Sequence, residues 1–160
     1  MPSNAGGHNA AYWLDMAERL AYSCRLMYTE ASTGIGADTA QFDYGRDGQG
    51  LSSHSVLRPE AVESWFYLYR ITKNPKYRQW AWDYARAMEK YAKAAGGYSG
   101  LRDVNSLSEG GDNSHNLDGH QQSFLLAETF KYIYLTFSED DVIDIDKYVF
   151  NTEAHVFERF

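Results

Sequence analysis

The stretch from Leu57 to Arg70 constrains the fold most. Pro59 suits the first position of a helix, because its missing N–H would be unpaired there anyway. Glu60 then falls in the first turn, where the positive end of the helix dipole favours a carboxylate. Glu63 and Tyr67 lie on the same helical face as Glu60. Val62, Trp65, Phe66 and Tyr69 supply the apolar remainder, so this central helix, expected over 59–72, is expected to be buried on most sides. Two carboxylates on its inward face are costly unless they are paired, hydrogen-bonded or in use.

Three further helices follow from periodicity. Trp13, Ala17, Leu20, Cys24 and Met27 recur at helical spacing between Ala10 and Tyr28. Asn74-Pro75 opens another, with Asn74 as cap and Pro75 in the first turn. Its buried stripe is Tyr77, Trp80, Tyr84, Met88 and Tyr91, and Gly96-Gly97 are expected to end it. The last long helix is expected from Asp118 to Phe137. Leu125, Leu126, Phe130, Ile133, Tyr134 and Phe137 are its apolar positions, and Phe124, Glu128 and Lys131 lie along one line. Residues 1–9 read as a disordered or cut end. Thr29 to Leu57 holds Gly34, Gly36, Gly45, Gly48 and Gly50 without a period, and a loop longer than about 12–15 residues is usually functional or disordered. Tyr98 to Asn116 suggests a hairpin or a returning loop. Ser138 to Asp146 reads as a solvated acidic turn, and Tyr148-Val149-Phe150 as a short strand. The helices come as two adjacent pairs, which predicts an all-α architecture of helical hairpins with long loops at one end. Four helices with such loops close poorly on themselves, so packing partners are expected on chain outside these residues.

With 22 Asp and Glu against 15 Lys and Arg, the net charge is −7, which argues against a nucleic-acid backbone as partner. Aromatics at 16% suit a neutral polar ligand such as a sugar, and equally a core rich in Tyr and Phe. No apolar run approaches the roughly 20 residues of a membrane span, and Met1 to Asn9 lacks the pattern of a signal peptide. His54, His115, His120 and His155 show no zinc spacing, and Cys24 stands apart from them. Gly45 to Gly50 precedes no Lys-Ser or Lys-Thr pair, so no phosphate loop is present. Ser64 and Ser123 fall inside helices rather than on a nucleophile turn.

Carboxylates carry the remaining chemistry. Glu60, Glu63 and Glu128 stand on aromatic helices, and glycoside hydrolysis needs paired carboxylates, one as acid on the leaving oxygen and one that positions water or attacks. The same spacing also suits a structural role in which these glutamates pair with Arg58, Arg70 or Lys131. Thr152-Glu153, beside His155, offers a hydroxyl and a carbonyl to a hard cation such as Ca²⁺, which takes six to eight oxygens. The run from Glu139 to Asp146 lacks the glycine and terminal glutamate of an EF-hand loop.

Four blocks together resemble glycoside hydrolase family 47, the class I α-1,2-mannosidases. They are Leu57-Arg58-Pro59-Glu60 with Glu63-Ser64 and Tyr67 to Arg70; Gly97 to Val104; Ser123 to Tyr132; and Phe150-Asn151-Thr152-Glu153-Ala154-His155. They stand in the family's order over about residues 10–157. The resemblance implies an (α/α)7 barrel of which residues 10–160 are the C-terminal part, with a short β-hairpin and a C-terminal strand. By resemblance Glu60 is the catalytic carboxylate that activates water. Arg58, Glu63, Phe124, Glu128 and Glu153 line the sugar and the calcium-bound water, and Thr152 is the direct protein ligand of Ca²⁺. The implied reaction is inverting hydrolysis of terminal α-1,2-linked mannose from the oligomannose N-glycans of glycoproteins. The implied setting is the endoplasmic reticulum or Golgi lumen, or outside the cell, with a membrane anchor on the parent protein left open.

Departures from the family pattern qualify that picture. The family's two other catalytic acids and the cysteine that pairs with the one resembling Cys24 lie upstream, in motifs absent here, so the isolated chain is expected to be inactive. Gln121-Gln122 stands where the family often has Met-Glu, and Gly36-Ala37-Asp38 where it carries a Pro-Glu. The alternative reading is a catalytically inactive module that binds mannose or glycoproteins in quality control.

Overall fold

The computed structural model describes residues 9–40, 53–107 and 112–160. Residues 1–8 and residues 41–52 of the glycine-rich stretch before the central helix therefore lie outside the described residues, and Asn9 caps the first helix through its side chain, which accepts from Tyr12 N at 3.0 Å. Helix α1 runs from Ala10 to Glu30, α2 from Glu60 to Thr72, α3 from Pro75 to Tyr91 and α4 from Phe130 to Phe137. A π-helical turn, Leu125–Thr129, feeds α4. Two antiparallel ribbons complete the chain. Strand β1 (Lys93–Ala94) pairs with β2 (Gly97–Tyr98), and β3 (Tyr148–Phe150) pairs with β4 (Val156–Glu158).

Helix α2 packs against α1, α3 and α4. Trp65 and Phe66 are both fully buried and point into different aromatic groups. Trp65 meets Tyr28, Trp80 and Tyr84 edge-on, while Phe66 meets Tyr132 and Phe150. Helices α1 and α3 are joined by Arg25 to Asp83 at 2.6 Å and by Tyr77 donating to Glu18 at 2.6 Å. The helices thus pack around α2, with α1, α3 and α4 against it, in the all-α architecture expected for a segment of an (α/α)7 barrel. An apolar groove lined by Trp13, Leu14, Leu20, Cys24, Tyr67 and Ile71 opens between α1 and α2, and Cys24 is a free thiol. Among the described residues no helix is long and apolar enough to cross a membrane.

Several boundaries differ from periodicity. Pro59 is the cap rather than the first residue of α2, and its carbonyl accepts from Glu63 N at 2.8 Å. Helix α3 ends at Tyr91, so Gly96 turns the β1–β2 ribbon with Ala95, and Gly97 opens β2, instead of the pair ending the helix. Residues 118–122 are not helical. Their hydrogen bonds go back to the ribbon: Asp118 N to Gly100 O, Gly100 N to His120 O, and Tyr98 N to the Gln121 side chain. Gly100 is needed for this crossing, since a Cβ there would lie 2.8 Å from Ser55 O and 2.4 Å from the Asp118 carboxylate. The apolar stripe of the last helix is also rephased. Leu126 and Tyr134 are exposed, whereas Leu125, Thr129, Tyr132 and Thr136 are buried. A π turn holds an extra residue, so a 3.6-residue wheel drawn through it misassigns the positions that follow.

The acidic turn after α4 is only partly solvated. Asp140 accepts from Arg70 at 2.9 Å and pairs with Lys73. Arg70, 5% exposed, also donates to Leu135 O at 2.8 Å and Glu139 O at 3.3 Å. Arg70→Ala should cost about 1–3 kcal/mol, the penalty for stranding buried carbonyl acceptors. Urea denaturation with an unchanged m-value checks it, and a loss below a few tenths would contradict the clamp.

Candidate functional site

The site forms where the start of α2, the π turn and the β3–β4 turn meet. Arg58 and Glu60 are exposed, Glu63 is half-buried, and Glu128 is 6% exposed. The central helix is therefore apolar on three sides and open at its acidic end, not buried all round as its composition suggested. None of the cations considered as structural partners neutralises these glutamates by direct pairing. Arg58 reaches Asp38 at 3.7 Å and stacks over Phe124, Arg70 is held by Asp140, and Lys131 donates to Ala154 O at 2.8 Å.

The carboxylates feel one another instead. Burial pushes the Glu128 carboxyl above its ordinary range, and the charges of Glu153, Glu60 and Glu63 push it further, with Lys131 opposing. Burial also raises Glu63, a hydrogen bond from the Tyr132 hydroxyl at 3.0 Å works against that, and Glu60 adds to the rise. Tyr132 is itself held well above the usual phenol range, by burial first and then by the Glu63 charge. Charges influence one another at this strength only at close range. Glu128, on the π turn, thus lies within electrostatic reach of Glu60 and Glu63 on α2 and of Glu153 on the β3–β4 turn.

The β3–β4 turn is fixed by Asn151, whose side-chain oxygen accepts from Glu153 N at 3.0 Å and His155 N at 2.8 Å. Ala154 is buried with φ 54°, so the turn is pinned by its core-facing residue and presents Thr152 and Glu153 outward. Among the described residues neither the Thr152 hydroxyl nor its carbonyl is in a hydrogen bond, and no three His, Cys, Asp or Glu side chains come together as a metal-binding group.

Some participants were not singled out from sequence. Tyr132 gave only an aromatic signal, yet it orients Glu63. Asp38 lies across from Arg58, accepts from Val56 N at 3.2 Å, and sits 3.6 Å from His54, whose other ring nitrogen is 3.3 Å from Asp118. These residues are far apart in sequence and carry no spacing signature.

The raised carboxyls make a pH prediction. A carboxylate whose folded pKa is raised destabilises the fold as pH climbs above its unfolded value of 4.5, because the unfolded chain releases the proton first. Glu128→Gln should therefore raise the melting temperature at pH 7, with the advantage shrinking below pH 4.5. Thermal unfolding across pH checks it; a variant less stable than the parent at pH 7 would refute the repulsion.

Comparison with known proteins gives this geometry its place. The human mannosyl-oligosaccharide 1,2-alpha-mannosidase IC is 43% identical over 148 residues, covering 91% of this chain and 22% of that protein. The Arabidopsis thaliana mannosyl-oligosaccharide 1,2-alpha-mannosidase MNS1 is 41% identical over 153 residues, covering 96% and 26%. The solved alpha-1,2-mannosidase from Trichoderma reesei superposes with a TM-score of 0.78 at 32% identity, over 92% of this chain and 34% of that structure. The chain thus spans about a quarter or less of these two curated relatives and a third of the solved structure. The model of glycosyl hydrolase family 47 matches residues 3–159, and the chain belongs to that family.

Proposed function

We propose that residues 10–160 are the C-terminal part of a barrel that hydrolyses terminal α-1,2-linked mannose from oligomannose N-glycans with inversion. The single observation that carries this is that Glu128 stands within electrostatic reach of Glu60, Glu63 and Glu153, where the α2 entry, the π turn and the β3–β4 turn are tied together, with no cation among the described residues paired to any of them. Such a cluster is unfavourable for folding alone and suits a site that binds polyhydroxylated substrate and handles protons. The relatives named as mannosyl-oligosaccharide 1,2-alpha-mannosidases supply the linkage and the sugar.

In this reading Glu60, in the first turn of α2, takes the proton of the attacking water. Glu63, held by the Tyr132 hydroxyl, orients that water, and Glu128 and Glu153 accept from sugar hydroxyls. Arg58, steadied by Asp38 and stacked over Phe124, gives the ring an anchor with an apolar face. The general acid comes from residues outside 1–160. The donor set fits Ca²⁺: every candidate is oxygen, Thr152 has two uncommitted ones, and nearby carboxylates carry excess negative charge. When bound, the ion would supply charge that holds sugar hydroxyls and water in place. Action on N-glycans implies a secretory-pathway setting, the endoplasmic reticulum or Golgi lumen or the exterior.

The test is mannose release from an α-1,2-linked oligomannose, followed by proton NMR. The full-length protein should liberate β-mannose first, and the 160 residues alone essentially none. Release of the α-anomer first, or turnover by the isolated chain, would overturn the scheme. In the full-length protein Glu60→Gln should lower kcat by about 10²–10⁴ with little change in KM; a loss confined to KM would remove Glu60 as base. Thr152→Ala should weaken calcium retention, read as metal content after purification, and unchanged calcium would exclude it as ligand.

A further inference from the structure

Leu57, immediately before Arg58-Pro59-Glu60, has φ 63°, a left-handed conformation that a branched side chain rarely adopts. Its side chain is 1% exposed, so it does not sit there for want of packing. Its backbone is held from two sides. Ser55 Oγ accepts from Leu57 N at 3.4 Å, and Thr129 Oγ1 donates to Leu57 O at 2.8 Å. Thr129 is fully buried and closes the π turn, one residue after Glu128.

We propose that Thr129 is a positioning residue that fixes Arg58 and Glu60 relative to Glu128, an inference that rests on the function proposed above. The geometry leaves few other ways to set that spacing. Leu57 turns the chain left-handed, Arg58 is kept out of the helical region by the proline that follows, and Pro59 caps α2. The direction in which Glu60 leaves the cap therefore depends on where the Leu57 peptide is held. The π turn brings Glu128 and Thr129, adjacent in sequence, both to the buried side, so the threonine hydroxyl bonds the α2 entry from the same backbone that carries Glu128. One hydroxyl thus ties two of the four clustered carboxylates to a common frame. A buried threonine in a helix often bonds its own preceding turn, as Thr136 does to Tyr132 O, whereas Thr129 reaches across to another element.

Kinetics of the full-length protein on an α-1,2-linked mannobiose test this, with Thr129→Val, Thr129→Ala, Thr129→Ser and Glu60→Gln compared. Valine keeps the shape and removes the hydroxyl; alanine is the second readout if valine fails to fold. The expected result is a kcat lowered by about tenfold or more in valine or alanine, with KM within about threefold and recovery to near wild type in serine. In a Glu60→Gln background the Thr129 substitution should add little further loss, because both act on one step. A kcat within about twofold of wild type in the hydroxyl-free variants, equal losses in serine and valine, or full multiplicative losses with Glu60→Gln would each overturn the proposal. A wild-type protein that releases no mannose would instead bring down the proposed function, and this inference with it.

Discussion

Everything at the site depends on α2 being wedged between two aromatic groups. Trp65 packs edge-on among Tyr28, Trp80 and Tyr84, and Phe66 among Tyr132 and Phe150. Edge-to-face pairs prefer particular angles, so they fix rotation about the helix axis better than aliphatic contacts of equal area do. With rotation fixed, the face bearing Glu60 and Glu63 has one direction to point. Tyr132 serves twice, as a packing partner for Phe66 through its ring and as a donor to Glu63 through its hydroxyl. Phe150 extends the same packing to the chain's end, which brings the β3–β4 turn to the carboxylates.

The cluster works against stability, and the surrounding contacts show how that is contained. Glu63 and Glu128 are both raised by burial before any neighbouring charge acts. A domain optimised only for folding would place Lys or Arg among them. Here the available cations are committed elsewhere: Lys131 to the Ala154 carbonyl, Arg58 to Asp38, Arg70 to the turn after α4. Each of these ties fastens a piece of backbone that carries a site residue, or its support, without cancelling the site's charge. Such division is the usual mark of a functional surface carried on a rigid scaffold.

Helices α2 and α3 were legible because their apolar positions recur regularly, and Asn74-Pro75 marked the start of α3 as capping chemistry predicts. Glu60, Glu63 and Glu128 were legible as carboxylates in unusual company. Three things were not. The π turn hid behind a helical pattern, because propensity does not distinguish one inserted residue within an otherwise helical run. Residues 118–122 looked helical by neighbourhood, yet their backbone groups found partners across the ribbon at Gly100 and Tyr98. The left-handed Leu57 carries no sequence mark, since neither glycine nor asparagine stands there, and it is held by the bonds to Ser55 and from Thr129.

Asp38 stands beside the α2 entry, across from Arg58. The loop is held there by pairing Asp38 N with His54 O at 2.9 Å and by the carboxylate accepting from Val56 N at 3.2 Å. Those two bonds lay the loop along residues 54–56, and the Asp38 carboxylate stands 3.7 Å from the Arg58 guanidinium. Ser55, in the middle of that segment, is itself paired with Leu101 across an antiparallel bridge. Arg58 is thereby held through backbone that reaches the Gly97–Val104 block as well as through its own charge. Asp38 thereby places a negative charge beside the α2 entry, and hydrogen bonds to residues 54 and 56 fix where it stands.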